Sequence, residues 1–157
     1  FPHRVIDILK GDGSGAEGIT MEITESALMA DPDKARNVLI FLSQHGIRFS
    51  IDDFGTGYSS LAYLKHLPVS EIKIDKLFVP KLMVDADDPT IVRSTIELGH
   101  NLGPSVTAEG VEDQQTWDSL SVLGCDEAQG YFMSKPLPAD QLDRWLTESQ
   151  WGVKPIG

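Results

Sequence analysis

Five segments of this 157-residue chain have the composition of β-strands, and each carries an ionisable or amide side chain at or near its carboxyl end. Parallel strands covered on both faces normally read as nearly continuous apolar runs, so such groups stand out. One of them alone would be a helix cap or a solvated strand end. Five in five strands indicate a shared site, formed by Glu22, Asp52, Lys73, Glu109 and Gln129.

The residue types narrow the chemistry of that site. Glu22, Asp52, Asp53 and Glu109 offer hard carboxylate oxygens, which suit Mg²⁺ or Mn²⁺. The chain has one cysteine, and its four histidines show no ligand-like spacing, so zinc is not indicated. The serines after the FGTG segment lack the G-x-S-x-G pattern of a nucleophile elbow. We therefore expect a divalent cation with oxygen ligands.

The adjacent acids Asp52 and Asp53 constrain the local backbone. Neighbouring residues of a strand point to opposite faces, so both can face one cavity only if Asp53 lies beyond the strand end. Gly55 and Gly57 would let the chain turn there. The alternative is an ordinary strand-end turn with solvated acids.

Lys73 is the second unusual residue, because Ile72 and Ile74 on either side would face the outer helices. That alternation directs the lysine inward, where a charge is costly unless carboxylates pair with it. The lysine would neutralise the acidic residues, a role compatible with orienting a water molecule.

Glycine and proline separate short β-branched runs from longer amphipathic ones, so the chain alternates strand and helix. One helix begins after the Asp31-Pro32 cap and closes at Gly46, and another ends before Gly124. Two more run from about Pro89 to Asn101 and from Ala139 to about Ser149. The predicted strands are Gly18–Ile23, Ile47–Asp52, Glu71–Asp75, Ser105–Glu109 and Asp126–Tyr131.

This α/β alternation is compatible with an open doubly wound sheet or with a TIM-type (β/α) barrel. Five strands and the short chain favour the open sheet, since a complete barrel takes about 250 residues. The polar strand ends favour the barrel, because they would meet in one mouth instead of spreading along an edge. We therefore expect a barrel with chemistry in its mouth.

The composition excludes several classes of function. A net charge of −11 and a pI of about 4.6 repel phosphate backbones, which argues against general DNA or RNA binding. No apolar run approaches the roughly 18 to 20 residues that span a bilayer, so direct membrane insertion of this segment is not expected. The single cysteine is compatible with a reducing compartment, and we expect a cytoplasmic location.

The chain resembles the EAL-domain phosphodiesterases, which hydrolyse the bacterial second messenger cyclic di-GMP to the linear dinucleotide. The resemblance runs nearly end to end, and the order and spacing of the motifs also match. The string DDFGTG, when it occurs together with the other motifs, is highly specific for this family. The motifs are EITES (Glu22–Ser26), DDFGTGYSSL (Asp52–Leu61), IKIDK (Ile72–Lys76), AEGVE (Ala108–Glu112) and QGY (Gln129–Tyr131).

The resemblance implies a role for each matching residue. Glu22 and Asp52 would be metal ligands, with Asp52 bridging two Mg²⁺ or Mn²⁺ ions and Asp53 binding the second. Glu109 would hold a metal or its bound water, and Lys73 would position the attacking water. Two further residues would serve the loop and the substrate: Glu25 would steady the DDFGTG loop and Gln129 would lie near substrate and water.

The family's opening segment, with the E-A-L glutamate and a later strand-end asparagine, is missing from this sequence. Residues 1–157 are therefore expected to be the C-terminal portion of a single EAL domain, with about the last five strands of the barrel. This portion alone would have little activity. Its open sheet edges would invite pairing in a homodimer, and GGDEF or sensory domains would be attached in a longer protein, including a membrane-anchored one.

The sequence is also compatible with two other functions. A non-catalytic receptor module would bind cyclic di-GMP without cleaving it, although such relatives often lose motif acids that this chain keeps. A metal-dependent barrel acting on another phosphate or carboxylate substrate is the more distant alternative, because fold alone does not fix function.

Overall fold

A computed structural model describes residues 1–11, 16–55, 61–79 and 88–152, and its five strands form one sheet. All neighbouring strands are parallel, and their order in the sheet is their order in the chain. The strands are β1 (Thr20–Thr24), β2 (Arg48–Phe54), β3 (Glu71–Ile74), β4 (Ser105–Glu109) and β5 (Glu127–Gln129).

The strand order decides between the two predicted architectures. A doubly wound sheet reverses its strand order at a switch point, whereas a barrel adds each strand beside the previous one. The order β1-β2-β3-β4-β5 contains no reversal. The described residues therefore have the topology of part of an α/β barrel, which confirms the predicted fold class.

Seven helices lie within the described residues, three more than the sequence predicted. Asp31 accepts a hydrogen bond from the Lys34 amide and Pro32 opens the following helix, as expected of a cap and a first-turn proline. The helices are α1 (Pro2–Gly11), α2 (Glu25–Ala30), α3 (Pro32–Ser43), α4 (Leu61–Leu64), α5 (Asp88–Leu102), α6 (Gln114–Leu123) and α7 (Ala139–Glu148). The unpredicted ones are α1, α2 and α4.

The sheet has one apolar and one polar face because its strands alternate in composition. Strand residues on the apolar face form two buried clusters with the helices, and β3 joins them, since Ile72 belongs to one and Ile74 to the other. The opposite face carries polar residues from all five strands: Glu22, Ser50, Lys73, Thr107 and Glu127. Glu22 is in register with Ser50, and Thr107 is in register with Lys73 and Glu127. This polar face is the one that positions the candidate site.

Two strand predictions need correction. The fifth strand was predicted over Asp126–Tyr131 but spans only Glu127–Gln129, because Gly130 begins a turn. Asp53 was predicted to lie beyond the end of its strand, yet β2 continues to Phe54. The structural reason for the second difference is a bulge in β2, described below. Within the described part of the chain, no helix is both long and apolar enough to cross a membrane.

Candidate active site

Lys73 is the centre of the candidate site. Its ammonium Nζ lies 2.6 Å from Oε1 of Glu22 and 2.6 Å from Oε1 of Glu109. The lysine side chain is only 7% exposed, whereas Glu22 is 54% and Glu109 22% exposed. Residues from β1, β3 and β4 therefore meet on the polar face, as the alternation around Lys73 predicted.

The protonation of Lys73 depends on these two partners. Burial by itself would lower the pKa of the lysine, but hydrogen bonds and attraction from Glu109 and Glu22 outweigh it and raise the pKa above its ordinary value. The lysine is an ammonium ion at neutral pH, so it donates hydrogen bonds and accepts none.

Asp52 and Asp53 occupy a β-bulge. Ile51 pairs with Ile72 and Phe54 pairs with Ile74, so the two aspartates together lie opposite Lys73. Among the described non-glycine residues, Asp53 is the one with a positive φ, at 56°. The Asp53 amide donates a 3.0 Å hydrogen bond to Oδ1 of Asp52. The two neighbouring aspartates can therefore lie near the same site because the strand bulges there, and not because the strand has ended.

Asp75 is an additional acid that the candidate residues did not include. It lies immediately after β3, is 8% exposed, and accepts a 2.7 Å hydrogen bond from the Leu77 amide. Partial desolvation, followed by repulsion from Asp52 and Asp75, raises the pKa of the Asp53 carboxyl above its ordinary value. The sequence signal was present, since Asp75 is the acid of the IKIDK motif.

Glu25 is buried at the start of α2, with 2% exposure. Its Oε2 accepts a 3.3 Å hydrogen bond from the Gly55 amide, which follows the bulge directly. Gly55 has a φ of +98°, so its backbone requires glycine. Residues 56–60, which complete the DDFGTGYSS segment and include Gly57, lie outside the described residues.

Gln129 ends β5 and pairs in register with Glu109 on β4. The Gln129 carbonyl accepts a 3.1 Å hydrogen bond from the Val111 amide. This bond ties the end of β5 to the segment after β4. The candidate glutamine therefore lies beside Glu109, at the carboxyl end of its strand.

The predicted ligands lie toward the carboxyl ends of their strands, but they do not form a complete metal site. Among the described residues, no three His, Cys, Asp or Glu side chains are close enough together to hold a metal ion. The donor types fit a hard divalent cation, because four of them are carboxylates. Two of the four, Glu22 and Glu109, are paired with Lys73 instead.

Comparison with known proteins gives one consistent family. The model of the EAL domain matches residues 1–136. The chain is 48% identical over 124 residues to the bifunctional diguanylate cyclase/cyclic di-GMP phosphodiesterase MucR of Pseudomonas aeruginosa. That match covers 79% of this chain but only 18% of MucR, so the chain spans less than a fifth of that relative.

Solved structures agree with the sequence match. The MucR phosphodiesterase in complex with c-di-GMP has a TM-score of 0.86 and 44% identity, over 89% of this chain and 57% of that one. A manganese/c-di-GMP complex of Klebsiella pneumoniae BlrP1 has a TM-score of 0.77 and 33% identity, over 85% of this chain and 34% of that one. Together with the family match over most of its length, these likenesses show that the chain belongs to the EAL domain family.

Proposed function

We propose that this chain carries the catalytic face of a metal-dependent phosphodiesterase that hydrolyses cyclic di-GMP to the linear dinucleotide. The observation that carries the proposal is the convergence of Glu22 and Glu109 on Lys73, in a chain whose relative MucR has been solved with c-di-GMP. Signalling through this second messenger follows from the proposed reaction.

The proposal assigns the metal ligands to Glu22, Asp52, Asp53 and Glu109. Their carboxylates suit Mg²⁺ or Mn²⁺, and the manganese complex of BlrP1 supports a divalent ion in this family. Two bound ions would polarise a phosphoryl oxygen and lower the pKa of a bound water. Such ions would also solve a charge problem, because a dinucleotide with two phosphates is repelled by a chain of net charge −11.

The remaining site residues act through hydrogen bonds. The Lys73 ammonium would hold the attacking water by donating to its oxygen, while Glu109, which is partly exposed, can accept a proton from that water. Glu25 would keep the segment after the bulge in place through the Gly55 amide. Gln129 would contact substrate or water from the end of β5.

We also propose how this chain relates to its domain, to neighbouring domains and to a second copy of itself. The chain matches 57% of the MucR structure, and residues 1–157 are proposed to be the C-terminal portion of one EAL domain. GGDEF or sensory domains are proposed neighbours because MucR is bifunctional. A homodimer is proposed to cover the sheet edges, and the location is proposed to be the cytoplasm.

The second candidate function is a receptor that binds cyclic di-GMP without cleaving it. The pairing of both glutamates with Lys73 favours it, because these carboxylates are engaged by an internal cation. The presence of all the motif acids favours the enzyme. Binding is common to both functions, and turnover separates them.

The experiment uses the 157-residue chain at high concentration, with cyclic di-GMP and Mn²⁺, and follows the linear dinucleotide by chromatography. We expect slow hydrolysis that stops when the metal is chelated. Asp52→Asn should lower the rate at least about a hundredfold, since even outer-shell partners of metals cost tenfold to a hundredfold. Asp143→Asn, an exposed acid on α7, is the matched control and should leave the rate unchanged.

The possible results distinguish the two functions and test the metal site separately. Binding with no turnover over long incubation supports the receptor. Absence of binding at millimolar cyclic di-GMP contradicts both functions. Turnover that survives Asp52→Asn contradicts the proposed metal site.

A further inference from the structure

Lys73 places an ammonium group between two of the proposed metal ligands. Its Nζ lies 2.6 Å from one oxygen of Glu22 and 2.6 Å from one oxygen of Glu109. Divalent ions such as Mg²⁺ bind carboxylate oxygens at about 2.0–2.6 Å, so an ion on either oxygen would lie within about 5 Å of the ammonium. Two cations at that separation repel each other. The lysine and a divalent ion therefore compete for these carboxylates.

The two contacts of Lys73 differ in how easily they can be exchanged. Glu109 lies on β4, the neighbour of β3, whereas Glu22 lies on β1, beyond β2. The Glu22 side chain is 54% exposed and the Glu109 side chain 22%. A hydrated ion can reach the Glu22 carboxylate from solvent, and an ion pair with an exposed partner is held more weakly. The contact with Glu22 is therefore the one that an incoming ion replaces first.

A small residue on β2 leaves room for the lysine to reach Glu22. Ser50 is in register with Glu22 and is fully buried on the polar face. Its Oγ has no hydrogen-bond partner among the described residues. The serine therefore holds neither Glu22 nor Lys73 in place through its hydroxyl. Within the described part of the chain, the lysine itself is the group that fixes the Glu22 carboxylate.

Release of Glu22 would leave Lys73 with a counter-ion. The lysine side chain is only 7% exposed, and loss of both partners would leave a buried charge unpaired, which is costly. With Glu109 still bound, the charge remains paired. An ammonium group has three N–H donors, and release of Glu22 makes one of them available on the face that carries the site.

We propose that Lys73 is the internal counter-ion of Glu22 and that a divalent ion replaces it there. The inference rests on the proposed function and adds an order of events to it. Lys73 gives up Glu22 when the ion binds that carboxylate, keeps Glu109, and turns the freed N–H toward a water molecule. Lys73 is thus a positioning residue whose donor becomes available only after metal loading.

The first test measures the Kd of Mn²⁺ alone for the 157-residue chain by calorimetry, without dinucleotide. Lys73→Met removes the competing cation and should tighten Mn²⁺ binding about tenfold. Lys73→Arg keeps a permanent charge and should stay within about threefold of wild type. Lys76→Met is the matched control, because Lys76 is an exposed lysine three residues later. At about 0.15 M salt it should change the Kd by less than about twofold.

The second test observes the exchange in the wild-type chain, so it does not depend on the folding of any variant. The buried ammonium of Lys73 should give a ¹⁵N–¹H signal of its Nζ group, assigned by its absence in Lys73→Arg. Addition of Mg²⁺ should shift this signal in step with saturation measured by calorimetry. The signals of exposed lysines should not follow that saturation.

The outcomes separate the exchange from the function on which it rests. If neither wild type nor Lys73→Met binds Mn²⁺ at millimolar concentration, the proposed metal site fails and the exchange fails with it. If both bind Mn²⁺ equally while cyclic di-GMP is still hydrolysed, the exchange alone is overturned.

Three further results would also overturn the exchange. Equal tightening in Lys76→Met would assign the effect to net charge. Equal tightening in Lys73→Arg would assign it to lost packing of the lysine. An unchanged Lys73 signal at saturating Mg²⁺ would show that the lysine keeps Glu22 in the metal-bound protein.

Discussion

Lys73 pairs with Glu22 across an intervening strand. Glu22 lies on β1 and Lys73 on β3, and these strands are separated by β2, where Ser50 pairs in register with Glu22. The Ser50 side chain is fully buried. Because Lys73 also holds Glu109 on β4, one ammonium group ties together residues from three strands.

The first prediction concerns the stability that Lys73 contributes. Lys73→Ala should lower the free energy of unfolding in urea by about 1–3 kcal/mol. This is less than the loss of a fully buried partner costs, because Glu22 is 54% exposed. Lys10→Ala, an exposed lysine of α1, should change it by less than about 0.5 kcal/mol. Equal stability of the two variants would mean that the pairing has no net value.

The second prediction concerns Glu25 and the backbone after the bulge. In Glu25→Ala the Gly55 amide loses its acceptor, so its hydrogen exchange should accelerate about tenfold, as expected for a bond to a charged group. Glu25→Gln retains an acceptor oxygen and should preserve most of the protection. Exchange followed by NMR at Gly55 measures both. Unchanged protection in the alanine variant would show that other contacts hold this residue.

The third prediction concerns Cys125, whose Sγ lies 3.3 Å from the Val106 carbonyl and 3.2 Å from the Glu127 carbonyl, so its single S–H can donate to either oxygen. Burial raises the pKa of this thiol from 9.0 to about 11. At pH 8 the thiolate is then about 0.1% of the folded protein, against about 10% of the unfolded chain. Alkylation by iodoacetamide should be about a hundredfold slower in buffer than in urea.

The same shift predicts how stability depends on pH. The raised pKa means that the folded state keeps its thiol proton longer than the unfolded state does. The contribution of Cys125 is therefore complete below pH 9 and is lost as the pH rises toward about 11. Cys125→Ala should not show this loss. Equal alkylation rates in buffer and urea would contradict both statements.

The fourth prediction concerns Gly130, where a Cβ atom would overlap the backbone of Val111. Gly130→Ala should lower the free energy of unfolding by about 2–3 kcal/mol, the usual cost of overpacking against atoms that cannot move aside. Gly11→Ala is the matched control, because a Cβ atom there meets nothing within 4 Å. A Gly130→Ala protein as stable as this control would show that the turn can shift.

The fifth prediction concerns Asp113, the cap of α6. A hydrogen bond from the Thr116 backbone, followed by one from its side chain, lowers the pKa of the Asp113 carboxyl below 3.8. Its contribution to stability is thus present above pH 3.8 and is lost as the pH falls through the lowered pKa. Asp113→Asn cannot ionise, so its melting temperature should approach that of wild type on acidification from pH 6 to pH 2. A constant difference between the two would contradict the shift.

Much of the fold followed from short-range patterns in the sequence. Alternation in β3 placed Lys73 opposite to Ile72 and Ile74, and the structure has that arrangement. Asp31 and Pro32 marked the start of α3 because capping depends on a few adjacent residues. The barrel was predicted because polar strand ends meet in one mouth in a barrel but spread along an edge in an open sheet, and the strand order agrees with that prediction.

The missed features depend on contacts between distant segments. The bulge at Asp53 arises from the offset between two pairings of β2 with β3, which no local pattern encodes. The proximity of Asp75 to Asp53 also depends on that offset. Lys73 contacts Glu22 across β2, and this contact can be predicted only when the register of β1, β2 and β3 is known. The sequence therefore predicted an inward lysine without identifying both of its partners.

The agreement between strand order and chain order has a consequence for how the molecule is assembled. Each strand after the first pairs with the strand synthesised just before it, so the sheet can grow during translation without waiting for a distant segment. Loop closure involves one crossover at a time, which keeps its entropic cost small.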